Sequence, residues 1–88
     1  MPVHNSDIAD ILNKIADLLD IEGANEYRVR SYRDAAQSID NLSRELTDWV
    51  EEEKDLIDLP GIGSSMADKI REIVTTGDLE QLHEIESR

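Results

Sequence analysis

Eighty-eight residues make a single domain that buries only about two-thirds of its unfolded surface, so its core must be small. The chain has no cysteine and no phenylalanine, which excludes a disulfide framework and a thiolate zinc site and leaves Leu, Ile, Val, Ala and Met to surround Tyr27, Tyr32 and Trp49. With 21 acidic against 9 basic residues the formal charge is −12, the opposite of the basic face that binding to nucleic acid calls for.

The amino terminus, Met1 to Ser6, carries no apolar signal segment, and no stretch approaches membrane-spanning length. The expected setting is the cytoplasm, with no membrane partner. Apolar Ile8, Ile11, Leu12, Ile15, Leu18 and Leu19 trace one helical stripe with Asp7, Asp10, Lys14 and Asp17 opposite, which predicts a first helix from Ser6 to about Glu22. Gly23 ends it and Asn25 caps a second helix, whose Val29, Tyr32, Ala36 and Ile39 share a face. Ser43 is the expected cap of a third helix carrying Leu46, Trp49 and Val50. Glu51, Glu52 and Glu53 should fray there, because like charges are unfavourable at a helix C-terminus. A short turn, about 54–58, leads to a glycine hairpin. The next helix bears Met66, Ile70, Ile73 and Val74 on one side and stops near Thr76-Gly77. Asp78 with Gln81 reads as a capping box for a last helix with Leu79, Leu82 and Ile85. No stretch alternates like a strand, so the fold class is all-α: one domain over 1–88, a compact bundle of four to five short helices.

The hairpin, Leu59-Pro60-Gly61-Ile62-Gly63 running into Ser64-Ser65-Met66-Ala67-Asp68-Lys69-Ile70, is the most informative segment. Pro60 presets its own φ, Gly61 and Gly63 permit positive φ and close backbone approach, and Ser64 is the expected cap. Unpaired N–H groups at such a helix start carry about half a positive charge and suit a phosphate oxygen. A dinucleotide fingerprint would need a glycine at Met66 and a strand before it, and a P-loop would need Gly-Lys-Ser/Thr; both are excluded. The bland alternative is a plain turn between packed helices, against which Leu59 and Ile62 alternate with the glycines and Ala67 and Ile70 follow at helical spacing. The segment 54–76 therefore reads as a helix-hairpin-helix, with Gly61, Ile62, Gly63, Ser64 and Ser65 as the phosphate-gripping stretch.

Arg28, Arg30 and Arg33 are the densest positive charge in the chain. Arg28, Arg33 and Tyr32 are the further contact candidates, because Arg28 and Tyr32 share a helix edge where a guanidinium takes phosphate and a hydroxyl adds a bond. Against this stand ion pairing of the arginines with surface acids and a core-facing Tyr32. His4 and His83 have no partner at metal-ligand spacing.

Ile8-Ala9-Asp10-Ile11-Leu12, Gly23-Ala24-Asn25, Tyr27-Arg28-Val29-Arg30-Ser31-Tyr32-Arg33-Asp34-Ala35-Ala36, Leu59 to Gly63, and Ala67-Asp68-Lys69-Ile70 with Thr76-Gly77 together resemble the amino-terminal domain of family X DNA polymerases, especially prokaryotic forms related to polymerase beta. The likeness spans nearly the whole chain. It implies a DNA-binding module for gapped or nicked DNA with little base preference, monomeric, working in a nucleoid-associated repair setting ahead of polymerase domains of the same chain; the polymerase active site itself does not fit in 88 residues. It also implies backbone carbonyls of Ile57, Leu59 and Ile62 as a cage for Na⁺ or K⁺. Lys69 matches the lysine that, in polymerase beta-like relatives, forms a Schiff base and removes a 5′-deoxyribose phosphate by β-elimination, a step that requires the free amine. The chain departs from the family pattern in carrying Tyr27 for a histidine and Arg28, Ser65 and Gln81 for lysines, which weakens the phosphate pocket. Three functions stay open: DNA-binding module, deoxyribose-phosphate lyase acting through Lys69, and an acidic protein-interaction domain that has lost DNA binding.

Overall fold

The computed structural model describes residues 3–52, 55–59 and 61–88. Its elements, in chain order, are α1 (Asn5–Ile21), α2 (Glu26–Asp40), α3 (Leu46–Glu51), a 3₁₀ turn (Leu56–Asp58), α4 (Ser64–Thr76) and α5 (Glu80–Glu86). Among the described residues there is no strand, and none of these helices is long and apolar enough to cross a membrane. The fold is all-α, as the helical periodicity predicts. Glu53, Lys54 and Pro60, on which the expected fraying, the start of the short turn and a preset φ rested, lie outside the described residues.

The α1 stripe is the spine of the molecule. Ile8, Leu12, Ile15, Ala16 and Leu19 are fully buried against Ala35, Ala36 and Ile39 of α2 and the apolar side of α4 and α5. Each fully buried Leu or Ile contributes roughly 1.5–3 kcal/mol from apolar surface leaving water. α1 and α2 pack along each other because only Glu22 to Asn25 separate them. That link is tight: Gly23, at φ 79°, donates to Asp20 O at 3.1 Å while Ala24 donates to Leu19 O at 2.9 Å, a Schellman closure that needs the left-handed residue. Asn25 Oδ1 then accepts from Tyr27 N–H at 2.7 Å and starts α2. Gly77, at φ 78°, closes α4 by donating to Ile73 O at 2.7 Å.

Two expected caps are replaced by oxygens from distant elements. Ser43 does not cap α3. Its N-cap is Glu45, and the first N–H, on Leu46, donates to Asn5 Oδ1 at 2.8 Å because α1 delivers a carboxamide there. Asn5 in turn donates through Nδ2 to Arg44 O at 2.7 Å, and its own N–H is taken by Glu45 Oε2 at 2.9 Å. Nor do Asp78 and Gln81 form a capping box. α5 begins one residue later, with Leu79 as N-cap, and Glu80 N–H donates to Glu72 Oε2 of α4 at 2.7 Å. The Asp78 carboxylate is drawn to Leu79 N–H and to the His83 ring instead. α3 ends at Glu51, with Glu52 as C-cap ion-paired to Arg44 at 2.6 Å.

Candidate functional site

The hairpin sits on the core through its apolar residues and faces outward through its glycines. Leu56, Leu59 and Ile62 are buried at 0%, 6% and 5% exposure, so every third position of the segment anchors it. Ile62 N–H bonds to Leu59 O at 3.3 Å. The Ile62 side chain belongs to the core, and what it offers a ligand is main chain. Gly61 takes φ +77°, the left-handed turn its type predicts. Gly63 does not: it is extended, at φ −91° and ψ −180°, because it is itself the N-cap of α4. Ser64 is the first helical residue rather than the cap. A Cβ placed on Gly63 meets nothing within 4 Å, so the space above it is open to solvent.

At each of the other helix starts a side chain of the molecule takes one of the free N–H groups. Glu45 serves α1, Asn25 serves α2, Asn5 serves α3, Glu72 serves α5, and Asp55 Oδ1 accepts Ile57 N–H of the 3₁₀ turn at 3.2 Å. At α4 there is no side-chain cap, and among the described residues the N–H groups of Ser64, Ser65 and Met66 have no protein acceptor. The chain has 21 acidic residues, yet the first turn of α4 carries none of them. The positive end of the α4 dipole is left for an outside oxygen.

That first turn opens into a groove of about 600 Å³ between α2 and α4, lined by Gly61, Gly63, Ser64, Ser65, Met66 and Lys69 on one side and Arg28, Ser31 and Tyr32 on the other. Among the described residues the charged members of that lining, Arg28 and Lys69, are both cations. Lys69 Nζ donates to Ser65 Oγ at 3.1 Å, and neither cation makes an ion pair among the described residues. Tyr32 is 4% exposed and forms the floor. Its hydroxyl oxygen accepts from Gln81 Nε2 at 3.0 Å. The groove thus gathers two cations in a molecule of net charge −12.

The structure divides the arginine cluster. Arg30 and Arg33 lie on the opposite face of α2, in a separate concavity shared with Asp20, Glu26 and Asp34, and Arg33 Nη2 pairs with Asp17 Oδ1 at 2.8 Å. Of the sequence candidates, Gly61, Gly63, Ser64, Ser65, Lys69, Arg28 and Tyr32 converge; Arg33 stands apart. Sequence reasoning missed Ser31, although its i+3 spacing from Arg28 puts it on the same face. It also missed the bond from Gln81 to Tyr32, since no local signal connects residues 49 positions apart.

A model of the family described as helix-hairpin-helix domain matches residues 3–79. The chain belongs to that family. In this helix-hairpin-helix domain the matched span ends just before α5, so Gln81 comes from beyond it. The chain is also distantly homologous to a family X DNA polymerase: it is 29% identical over 84 residues to the DNA polymerase/3′-5′ exonuclease PolX of Bacillus subtilis (strain 168). The alignment takes in 96% of this chain and only 14% of that protein. The sequence-level resemblance to family X polymerases thus holds over nearly the whole helix-hairpin-helix domain.

Proposed function

We propose that this helix-hairpin-helix domain binds the phosphate backbone of gapped or nicked DNA, without base preference, by seating a phosphate on the uncapped first turn of α4. One observation carries the reading: the free N–H groups of Ser64, Ser65 and Met66 open into a groove whose charged side chains, Arg28 and Lys69, are both positive. Backbone donors and two cations match phosphate and read no base edge. Homology to a DNA polymerase supports the same choice of partner. The acidic remainder of the surface confines DNA contact to the groove, because elsewhere like charges repel within about a Debye length.

Gly63→Val tests this. The position is extended and open, so the variant folds, as circular dichroism will verify, yet its branched side chain stands where the phosphate must approach. Loss of one or two charge-assisted hydrogen bonds, about 1.5–3 kcal/mol each, predicts binding to a gapped duplex weakened by about tenfold or more in fluorescence anisotropy. Unchanged affinity removes the hairpin from the contact.

The site of Lys69 favours a second reading, deoxyribose-phosphate lyase. Its amine lies in the groove, bonded to a hydroxyl rather than paired with a carboxylate. There it would add to the sugar aldehyde with loss of water, and the resulting iminium would acidify the adjacent C–H so that phosphate departs. Borohydride should then trap the protein on an incised abasic site, and Lys69→Ala should abolish the adduct while Lys14→Ala leaves it. No adduct with DNA binding intact leaves the noncatalytic module.

The carbonyls of Ile57, Leu59 and Ile62 extend the first reading to a monovalent cation at the hairpin. The Leu59 oxygen takes one long N–H bond, at 3.3 Å, and keeps a lone pair. Binding that differs between K⁺ and Li⁺ at equal ionic strength is the expected result.

A further inference from the structure

We infer that Gln81 is a positioning residue for the groove: by donating to Tyr32 Oη it leaves the Tyr32 proton to be given to a bound phosphate. The inference rests on the phosphate-binding reading above, in which Tyr32 is already a contact candidate, and adds the residue that sets the direction of its hydroxyl.

A tyrosine hydroxyl has one proton and can also accept. Here the acceptor role is taken, because Gln81 Nε2 donates to the oxygen at 3.0 Å. Among the described residues nothing accepts the proton in return. Tyr32 is 4% exposed, and a buried hydroxyl proton with no acceptor is unfavourable, so the group is set to donate to whatever occupies the groove it lines together with Arg28 and Lys69. The amide is held in place by its own element. α5 is fastened to α1 by Lys14 Nζ to Glu86 Oε2 at 3.1 Å, and the chain end beyond it by Arg88 Nη1 to Glu22 Oε2 at 3.1 Å, while Leu82 and Ile85 are buried in the core. Gln81 therefore reaches Tyr32 from a fixed helix. Polarity matters more than the contact itself: a carboxylate at position 81 would accept the proton and withdraw it from the groove.

The test is a double-mutant cycle on binding of the 88-residue chain to a gapped duplex oligonucleotide, with Gln81→Glu made in the Tyr32 and in the Tyr32→Phe backgrounds. The added negative charge acts in both backgrounds, whereas capture of the proton acts only where the hydroxyl exists. Gln81→Glu is expected to weaken binding about tenfold more in the presence of Tyr32 than in the Tyr32→Phe chain, one hydrogen bond to a charged group being worth about that factor. Melting curves of all four proteins confirm that each is folded. A phosphate-induced shift of the Tyr32 Cζ resonance in the wild type, absent in Gln81→Glu, is the spectroscopic companion. Equal losses in the two backgrounds, or no loss in either, overturn the inference while leaving the phosphate reading intact. A wild-type chain that does not bind the gapped duplex overturns both.

Discussion

Lys69 Nζ donates to Ser65 Oγ at 3.1 Å, one helical turn back along α4. The bond draws the ammonium toward the N-terminus of α4, so its charge adds to the helix dipole at the open first turn instead of standing away from it. Side-chain cation and backbone donors are thereby placed for the single phosphate that the proposed function requires.

Arg28 and Lys69 should set most of the salt dependence of DNA binding. Every phosphate that a side chain ceases to neutralise lowers the slope of log K against log salt by about 0.9 on duplex. Arg28→Ala and Lys69→Ala are each expected to reduce it by about that amount, equally for unrelated sequences. Arg33→Ala, on the far face and paired with Asp17, is expected to leave the slope unchanged. A titration over NaCl concentration with the three variants checks this.

The two hairpin glycines should respond differently to alanine. Gly61 sits at φ +77° with Ser38 Oγ 3.5 Å from an added Cβ, and a left-handed conformation costs an L-residue about 1–2 kcal/mol. Gly61→Ala should lower the melting temperature by several degrees. Gly63→Ala meets open space in an extended conformation and loses only the modest N-cap preference of glycine over alanine, so its melting temperature should fall much less. Thermal denaturation by circular dichroism separates the two.

Asn5 is the polar residue best suited to a stability test, being 9% exposed and bonded to both Arg44 O and Leu46 N–H. Asn5→Ala leaves a buried donor and a carbonyl without partners, at about 1–3 kcal/mol for such a group. Urea unfolding should show that loss in the midpoint with the slope unchanged.

His83 and Asp78 predict how stability varies with pH. Their hydrogen bond, Nε2 to Oδ2 at 2.5 Å, is the main cause that raises the His83 pKa above its ordinary value; the Asp78 and Glu86 charges add to it, and desolvation and Lys14 oppose it. The same bond, followed by Leu79 N–H, lowers that of Asp78. A raised histidine stabilises fully below its unfolded value and loses that contribution as pH rises through the folded one. A lowered aspartate stabilises above its unfolded value and loses it as pH falls through the folded one. The pair is thus at its strongest at about pH 4.5–6. His83→Gln should lower the melting temperature most in that interval, with the difference from wild type shrinking toward alkaline pH.

Much of this molecule is legible one helical turn at a time. The apolar stripe from Ile8 to Leu19, the stops at Gly23 and Gly77, the cap at Asn25 and the left-handed turn at Gly61 are each decided by residues within a few positions of one another. Helical periodicity and the special φ of glycine are local properties, so the sequence by itself determines the all-α class and the hairpin. Which helix starts are capped is another matter. The oxygens at α1, α3 and α5 come from Glu45, Asn5 and Glu72, and only the packing of separate elements brings them within reach. The same packing turns Arg28 into the groove and Arg33 toward Asp17, and carries Gln81 to Tyr32. A site made of convergent donors depends on where helices cross, a relation between residues dozens of positions apart, and that only the tertiary structure decided.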